Sequence, residues 1–262
     1  MIWLAVQLLG SAAMTTGGIL AIRRSMRLAT ALVAAMLSLI LFKTTVANVP
    51  AGEPRLFPWN WYPFVEPWWF LFPAMFIFGA GIRLVWPSMW KRDALLIVAG
   101  VLVIFCGAYA VLMDRTHALT GTVDAKGVCH QTSGYSCSAA SAVMLLDRHG
   151  IASTEQEMAE LCVTRAGNSR VAGTTESGLM RGLRVKLGGR GTPRITTPAY
   201  DRIPTPAVVA IQLSPQLCHS ILVASVEPDR VRVVDPLYGN GTIPRGQFER
   251  DWKKSAIHIE VP

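Results

Sequence analysis

An α+β fold is predicted, with helices first and short antiparallel strands after them, carried behind a membrane-embedded N-terminal region. Three observations predict it. Of the 262 residues, 51% are hydrophobic and only 16% charged, too apolar for an ordinary soluble chain. Charge is unevenly placed: residues 1–112 hold eight Lys/Arg against three Asp/Glu, and residues 113–262 hold seventeen against fourteen, so the net +8 divides into +5 and +3. Beyond residue 126, apolar positions at helical spacing give way to short Val- and Ile-rich runs broken by Pro, Asp and Gly. The predicted organisation is a four-helix transmembrane region at 1–113, a polar linker at 114–126 and a globular domain at 127–262.

Four apolar stretches approach or exceed the roughly 18 to 20 residues that cross a hydrocarbon core. They are 2–22, 28–42, 68–86 and 94–113. The first has no basic region ahead of it; Arg23 and Arg24 follow it, the order of an uncleaved helix with an external N-terminus rather than of a signal peptide. Basic connections resist translocation. Arg23, Arg24 and Arg27 in the first connection and Arg83, Lys91 and Arg92 in the third outnumber Lys43 and Arg55 in the second. Connections one and three are therefore expected in the cytoplasm, and the globular domain on the periplasmic or extracellular face of the cytoplasmic membrane.

The second connection, VPAGEPRLFPWNWYPFVEPWW, carries Pro50, Pro54, Pro58, Pro63 and Pro67 among Trp59, Trp61, Trp68 and Trp69. Proline at that density forbids a regular helix, and tryptophan favours the headgroup level, so an interfacial aromatic belt is expected. A platform that steers substrate toward the globular domain is the alternative. Apart from Arg83 near one end, the spans hold no charge, which argues for an anchor rather than an ion or proton path. The basic excess needs no nucleic acid, because it lies beside membrane segments and forms no basic stripe interleaved with aromatics.

In the globular part, residues 138–149 show helical spacing closed by Gly150. Ser153 ahead of Glu155 and Glu157 predicts an N-cap opening a helix to about Cys162. A third helix is predicted over 176–187, closed by Gly188 and Gly189. Strands are predicted at 204–213, 220–226, 230–234 and 256–261.

Chemistry gathers around GVCHQTSGYSCSAASAVMLL, residues 127–146. Cys137 falls at the predicted start of a helix, where unpaired N–H groups and the positive dipole end favour a thiolate. A nucleophilic cysteine needs a base, and His219 opens an apolar strand in QLCHSILVASV. The base needs an orienting acceptor; Asp235 ends the next strand, where a hairpin would return it alongside His219. Gln131, with the Cys137 backbone N–H, would hold a tetrahedral oxyanion. Singly, each residue has an ordinary structural reading: a core thiol, a strand histidine, an Asp-Pro turn. The order Gln, Cys, His, Asp in these contexts sets them apart.

The stretches QTSGYSCSAASAVMLLDRHGI, AGTT, CHSILVASV and VRVVDPLYGNG resemble cysteine peptidase family 39, papain-like peptidases that remove double-glycine leaders from bacteriocins. The resemblance runs over residues 127–257. It implies a papain-like fold with Cys137 as nucleophile, His219 as general base, Asp235 as its orienter and Gln131 as oxyanion donor. Phe248 and Trp252 resemble the family's closing F-x-x-x-W element and read structurally as core. Three features depart from the family: Ser138 stands where it usually has Gly directly after the nucleophile, no G-x-x-x-x-G-K-[ST] nucleotide site is present, and the expected external location is opposite to that of exporter-fused members.

The expected function is hydrolysis of a peptide bond by a membrane-anchored cysteine peptidase; the alternative is a non-catalytic peptide-binding module or an accessory protein in peptide export. Expected partners are a peptide or protein substrate and the lipid bilayer, with no nucleic acid, nucleotide, cofactor or metal. Of the other cysteines, Cys106 lies in the fourth span. Cys218 adjoins His219 and by strand alternation should point away from the site. That leaves Cys129 with Cys162 as an expected disulfide bracing the Gln131 segment against the second helix. His130 is a bystander, since a Cys/His metal site would lack a CxxC pair.

Overall fold

The computed structural model describes residues 2–66, 68–85, 118–166, 172–214 and 217–261. It divides into two units: Met1–Asn48 with Phe64–Leu112, and Val49–Pro63 with Met113–Pro262. The fourth predicted span, 94–113, and the basic pair Lys91 and Arg92 lie outside the described residues.

In the first unit the described helices are α1 (Ile2–Arg24), α2 (Met26–Asn48) and, after two short helices described below, α5 (Trp68–Val85). Two glycines set the contact of α1 with α5. A Cβ on Gly18 would stand 2.2 Å from the Phe76 carbonyl oxygen, and one on Gly79 would stand 2.2 Å from that of Thr15. Small residues at a helix crossing let backbones approach, a packing mode of helices in apolar surroundings. Helix α2 runs past both ends of its predicted stretch; at its C-terminal end Thr44, Thr45 and Asn48 turn their polar groups onto the Ile40, Leu41 and Thr44 carbonyls one turn back. Among the described residues, α2 is the helix whose length and composition suffice to cross a membrane.

The second unit is an α+β domain on a six-stranded antiparallel sheet. Its strands are β1 (Thr192–Thr196), β2 (Ala207–Ser214), β3 (Leu217–Val226), β4 (Arg230–Asp235), β5 (Gly239–Pro244) and β6 (Ala256–Glu260), in the order β1-β6-β2-β3-β4-β5. Three helices pack together with one set of strand residues: α6 (Cys137–Asp147), α7 (Glu155–Leu161) and α8 (Glu176–Leu187). A short helix, α9 (Arg245–Asp251), packs with another set. Strand alternation divides the two cores: Leu222 and Val234 join the three-helix core, whereas Ile221, Val223, Val231 and Val233 join Phe248 and Trp252. Phe248 and Trp252 are core residues, as their apolar character predicts. Helix α8 has its predicted bounds; Thr175 Oγ1 accepts the Gly178 N–H at 3.1 Å, and Gly188 ends it in the left-handed region at φ 55°.

Four features depart from expectation. The N-cap of α7 is Thr154, whose Oγ1 accepts the Glu157 N–H at 3.2 Å, while Ser153 bonds the Glu157 carboxylate instead. Strands β1 and β5 have no counterpart in the predicted set; both are sheet edges, where Pro193 and the glycines of GNGTIP are tolerated and the apolar signal is weak. Helix α9 was also not predicted, and Phe248 is its one buried residue. The expected disulfide is absent: Cys129 and Cys162 are both free and buried. The Cys162 sulfur is taken up in packing on α8, where a Cβ on Gly182 would fall 2.3 Å from it.

The proline-rich connection Val49–Pro63 belongs to this second unit. Where its prolines were expected to forbid a regular helix it holds two short ones, α3 (Gly52–Leu56) and the start of α4 (Tyr62–Val65), with Pro54 and Pro63 in their first turns, where a missing N–H leaves no bond unmade. Arg184 of α8 donates to the Pro58 carbonyl at 3.1 Å and to Asn60 Oδ1 at 2.6 Å, Arg55 donates to Thr197 Oγ1 at 3.0 Å, and Arg165 donates to the Pro63 carbonyl at 3.4 Å. Ala51 and Tyr62 are buried, and Tyr62 stacks on Phe57 at 4.7 Å. Trp59 and Trp61 stack on each other at 5.0 Å and stay half exposed.

Candidate active site

Helix α6 begins at Cys137. Its cap residue, Ser136, gives no side-chain bond to the helix; its hydroxyl donates to the Ser133 carbonyl at 3.0 Å and accepts the Ser133 N–H at 3.2 Å. The positive end of the helix is thus left facing the Cys137 position without a competing oxygen. Cys137 is partly accessible, whereas His219 and Asp235 are buried.

Antiparallel pairing of β3 with β4 places Leu222 opposite Val234, which brings the end of β4 toward the start of β3. His219 Nε2 lies 2.8 Å from Asp235 Oδ1, and the same oxygen accepts the Leu237 N–H at 2.7 Å. Cys137, the first residue of α6, acts on the imidazole strongly enough to raise it. With Nε2 committed to the carboxylate, Nδ1 is the ring atom left for another partner. Imidazole and carboxylate are hydrogen-bonded in a row that leads toward the thiol.

The charges follow from that row. Burial pushes the Cys137 thiol up, but hydrogen bonds from His219 and the Ser220 backbone, with the His219 charge, outweigh it and leave the thiol below its ordinary value. Burial pushes His219 down; its bonds to Asp235 and Cys137 prevail and raise it to about 9. Burial also pushes Asp235 up, and the His219 and Leu237 bonds hold it below the usual carboxylate range. The two shifts run in opposite directions, the thiol toward easier loss of its proton and the imidazole toward firmer hold on its own.

Gln131 is fixed at both ends. Its backbone N–H donates to the Pro236 carbonyl at 3.1 Å, next to Asp235, and its Nε2 donates to the Ser133 carbonyl at 2.7 Å, in the turn leading to Cys137. One amide N–H remains. Sequence reasoning missed how this segment is held. Glu155, fully buried, accepts the Gly121 N–H at 2.9 Å, the Thr132 N–H at 2.9 Å and the Thr132 hydroxyl at 2.7 Å. That carboxylate at the head of α7 does the bracing expected of a disulfide. Burial pushes Cys129 and Cys162 up to about 12, which leaves both thiols inert, and Cys218 is exposed.

Ser138 was read only as a departure from the family. Its Oγ lies 2.7 Å from that of Ser220, both buried. The only signal in sequence is positional: each serine directly follows a member of the row, Cys137 or His219.

An α+β domain holding a thiol, an imidazole and a carboxylate in this order has the make-up of a cysteine peptidase. Residues 125–261, just over half the chain, match the Peptidase C39 family, and the chain belongs to that family. An uncharacterized protein of Methanothermobacter thermautotrophicus is 29% identical over 134 residues, covering 50% of this chain and 87% of that protein. Among solved structures, the peptidase domain of Streptococcus ComA, described as a bi-functional ABC transporter involved in a quorum-sensing pathway, is 17% identical with a TM-score of 0.42, covering 55% of this chain and 98% of that domain. A double-glycine-motif protease from an AMS/PCAT transporter, solved with its leader peptide, is 16% identical with a TM-score of 0.43, covering 56% of this chain and all of that one.

Proposed function

We propose that the protein is a membrane-anchored cysteine peptidase that cuts a peptide at the outer face of the cytoplasmic membrane. The carrying observation is the 2.8 Å bond between His219 Nε2 and Asp235 Oδ1, together with the lowered thiol of Cys137 at the first residue of α6. The Cys137 thiolate attacks the scissile carbonyl carbon, and the carbonyl electron pair moves onto oxygen. The free amide N–H of Gln131 and the Cys137 backbone N–H take that oxyanion. His219 Nδ1 gives its proton to the leaving amine, and a thioester remains on Cys137. Neutral His219 then takes a proton from water, hydroxide displaces the thiolate, and the carboxylate product leaves. Throughout, Asp235 holds Nε2–H and stabilises the imidazolium.

Anchoring by four spans, with the domain outside, is the reading we extend to the N-terminal half. The excess of basic residues in the first and third connections supports the external side for the domain. A membrane-impermeant thiol reagent on intact cells tests the side: an engineered exposed cysteine in the domain is labelled if the domain is external, and spared if the orientation is reversed.

The peptidase reading is tested by alkylation of the full-length protein with iodoacetamide across pH. Cys137 should react well below pH 7, and His219→Ala should remove that advantage. A Cys137 that reacts like an ordinary thiol, indifferent to His219→Ala, would favour a module that binds peptide without cutting it.

A further inference from the structure

We propose that Ser138 and Ser220 are positioning residues for the nucleophile, a buried hydroxyl clasp that fixes the helix bearing Cys137 to the strand bearing His219. This rests on the reading of Cys137 as nucleophile and assigns a new role at that site. The two oxygens are 2.7 Å apart, and Ser141, one turn further along α6, donates its hydroxyl to the Ser220 carbonyl at 3.0 Å. Helix α6 thus grips residue 220 by its side chain and its backbone. All three serines are buried. Apolar residues would pack between a helix and a sheet without the desolvation cost of hydroxyls, so three bonded serines at one crossing point to a function beyond stability.

Ser138 and Ser220 directly follow Cys137 and His219 in the chain, so the bond between their hydroxyls ties together the two backbones that carry those side chains. The Ser220 backbone and the Ser138 side chain also act to lower the Cys137 thiol, against burial, which raises it. Glycine at position 138 has no hydroxyl with which to make this bond. The residue that departs from the family is thereby a working part of this site.

The test is the pH profile of Cys137 alkylation by iodoacetamide in the full-length protein in detergent, with the modified residue located by mass spectrometry. Ser138→Ala and Ser220→Ala should each raise the midpoint by about half a pH unit or more, as Cys137 loses its fixed place beside His219. The double variant should shift no further than the larger single, because the two hydroxyls act as a unit. Ser220→Thr keeps the hydroxyl on a strand and should restore the native midpoint. Should Ser138→Ala fail to fold, Ser138→Gly adds no bulk and reads the same quantity. Unchanged midpoints in folded Ser138 and Ser220 variants overturn the clasp while leaving the nucleophile standing; a native Cys137 with an ordinary thiol profile overturns both.

Discussion

Asp235 Oδ1 holds two donors at once, His219 Nε2 at 2.8 Å and the Leu237 N–H at 2.7 Å, so the turn after β4 fixes the carboxylate that fixes the imidazole. Asp235→Asn preserves the shape but removes the charge. His219 should then titrate nearer its ordinary value, and alkylation of Cys137 at pH 6 should fall about tenfold, the effect of roughly one pKa unit. Peptide hydrolysis, which also needs the correct tautomer, should fall on the order of a hundredfold or more. An Asp235→Asn protein with native alkylation at pH 6 would remove Asp235 from the row.

Stability should report the two opposed shifts. His219 titrates at about 9 in the folded chain against an ordinary 6.5, so it adds stability that is full below pH 6.5 and lost as pH rises through 9. Cys137 has the opposite sign: lowered from an ordinary 9.0, it adds stability that is full above pH 9 and lost as pH falls through its folded value. Between pH 6.5 and 9, where the His219 contribution is being lost, the Cys137 contribution has the opposite slope and offsets it. Cys137→Ala leaves His219 still raised by Asp235. The thermal midpoint of this variant, compared with native protein, should decline progressively across that window; a constant difference would contradict the offset.

Glu155 should matter more than its place in no catalytic row suggests. Glu155→Ala leaves the buried Gly121 N–H unpaired and turns the Thr132 N–H and hydroxyl over to water, so a loss of about 1 to 3 kcal/mol is expected. Thermal unfolding of the full chain measures it. A loss below about 1 kcal/mol would mean that water replaces the carboxylate.

The free thiols give a fourth prediction. Folded protein treated with a maleimide should be modified at Cys137 and Cys218 and spared at Cys129 and Cys162, with all four labelled after denaturation. Dithiothreitol should leave the thermal midpoint unchanged. A midpoint that falls on reduction would restore the disulfide.

The His219–Asp235 pairing of the candidate site was legible in the sequence because its signals are local. A cysteine ahead of a small-residue helix, a histidine opening an apolar strand and an aspartate ending the next one are each set by their own element, and a hairpin is enough to join the last two. Helix α8 was legible to the residue because Thr175 and Gly188 punctuate it. What escaped depends on partners distant in the chain. Nothing in the run TPRIT says that β6 waits beside it, and edge strands need little apolar pattern. Glu155 looked like an acidic first-turn residue, which it is, while its buried carboxylate also serves Gly121 and Thr132. The Cys129–Cys162 pairing failed because elimination among thiols says nothing about which helix a sulfur packs on. The Ser138–Ser220 bond spans 82 residues and leaves no mark on either neighbourhood.

The connection Val49–Pro63 carries a last consequence, for inheritance rather than chemistry. The region that matches the family begins at residue 125, yet Arg184, Arg165 and Thr197 within it find partners in a segment encoded some seventy residues earlier. Recombination at the family boundary would carry Cys137, His219 and Asp235 away from that segment, so what is inherited as one folded unit is wider than the stretch that matches the family.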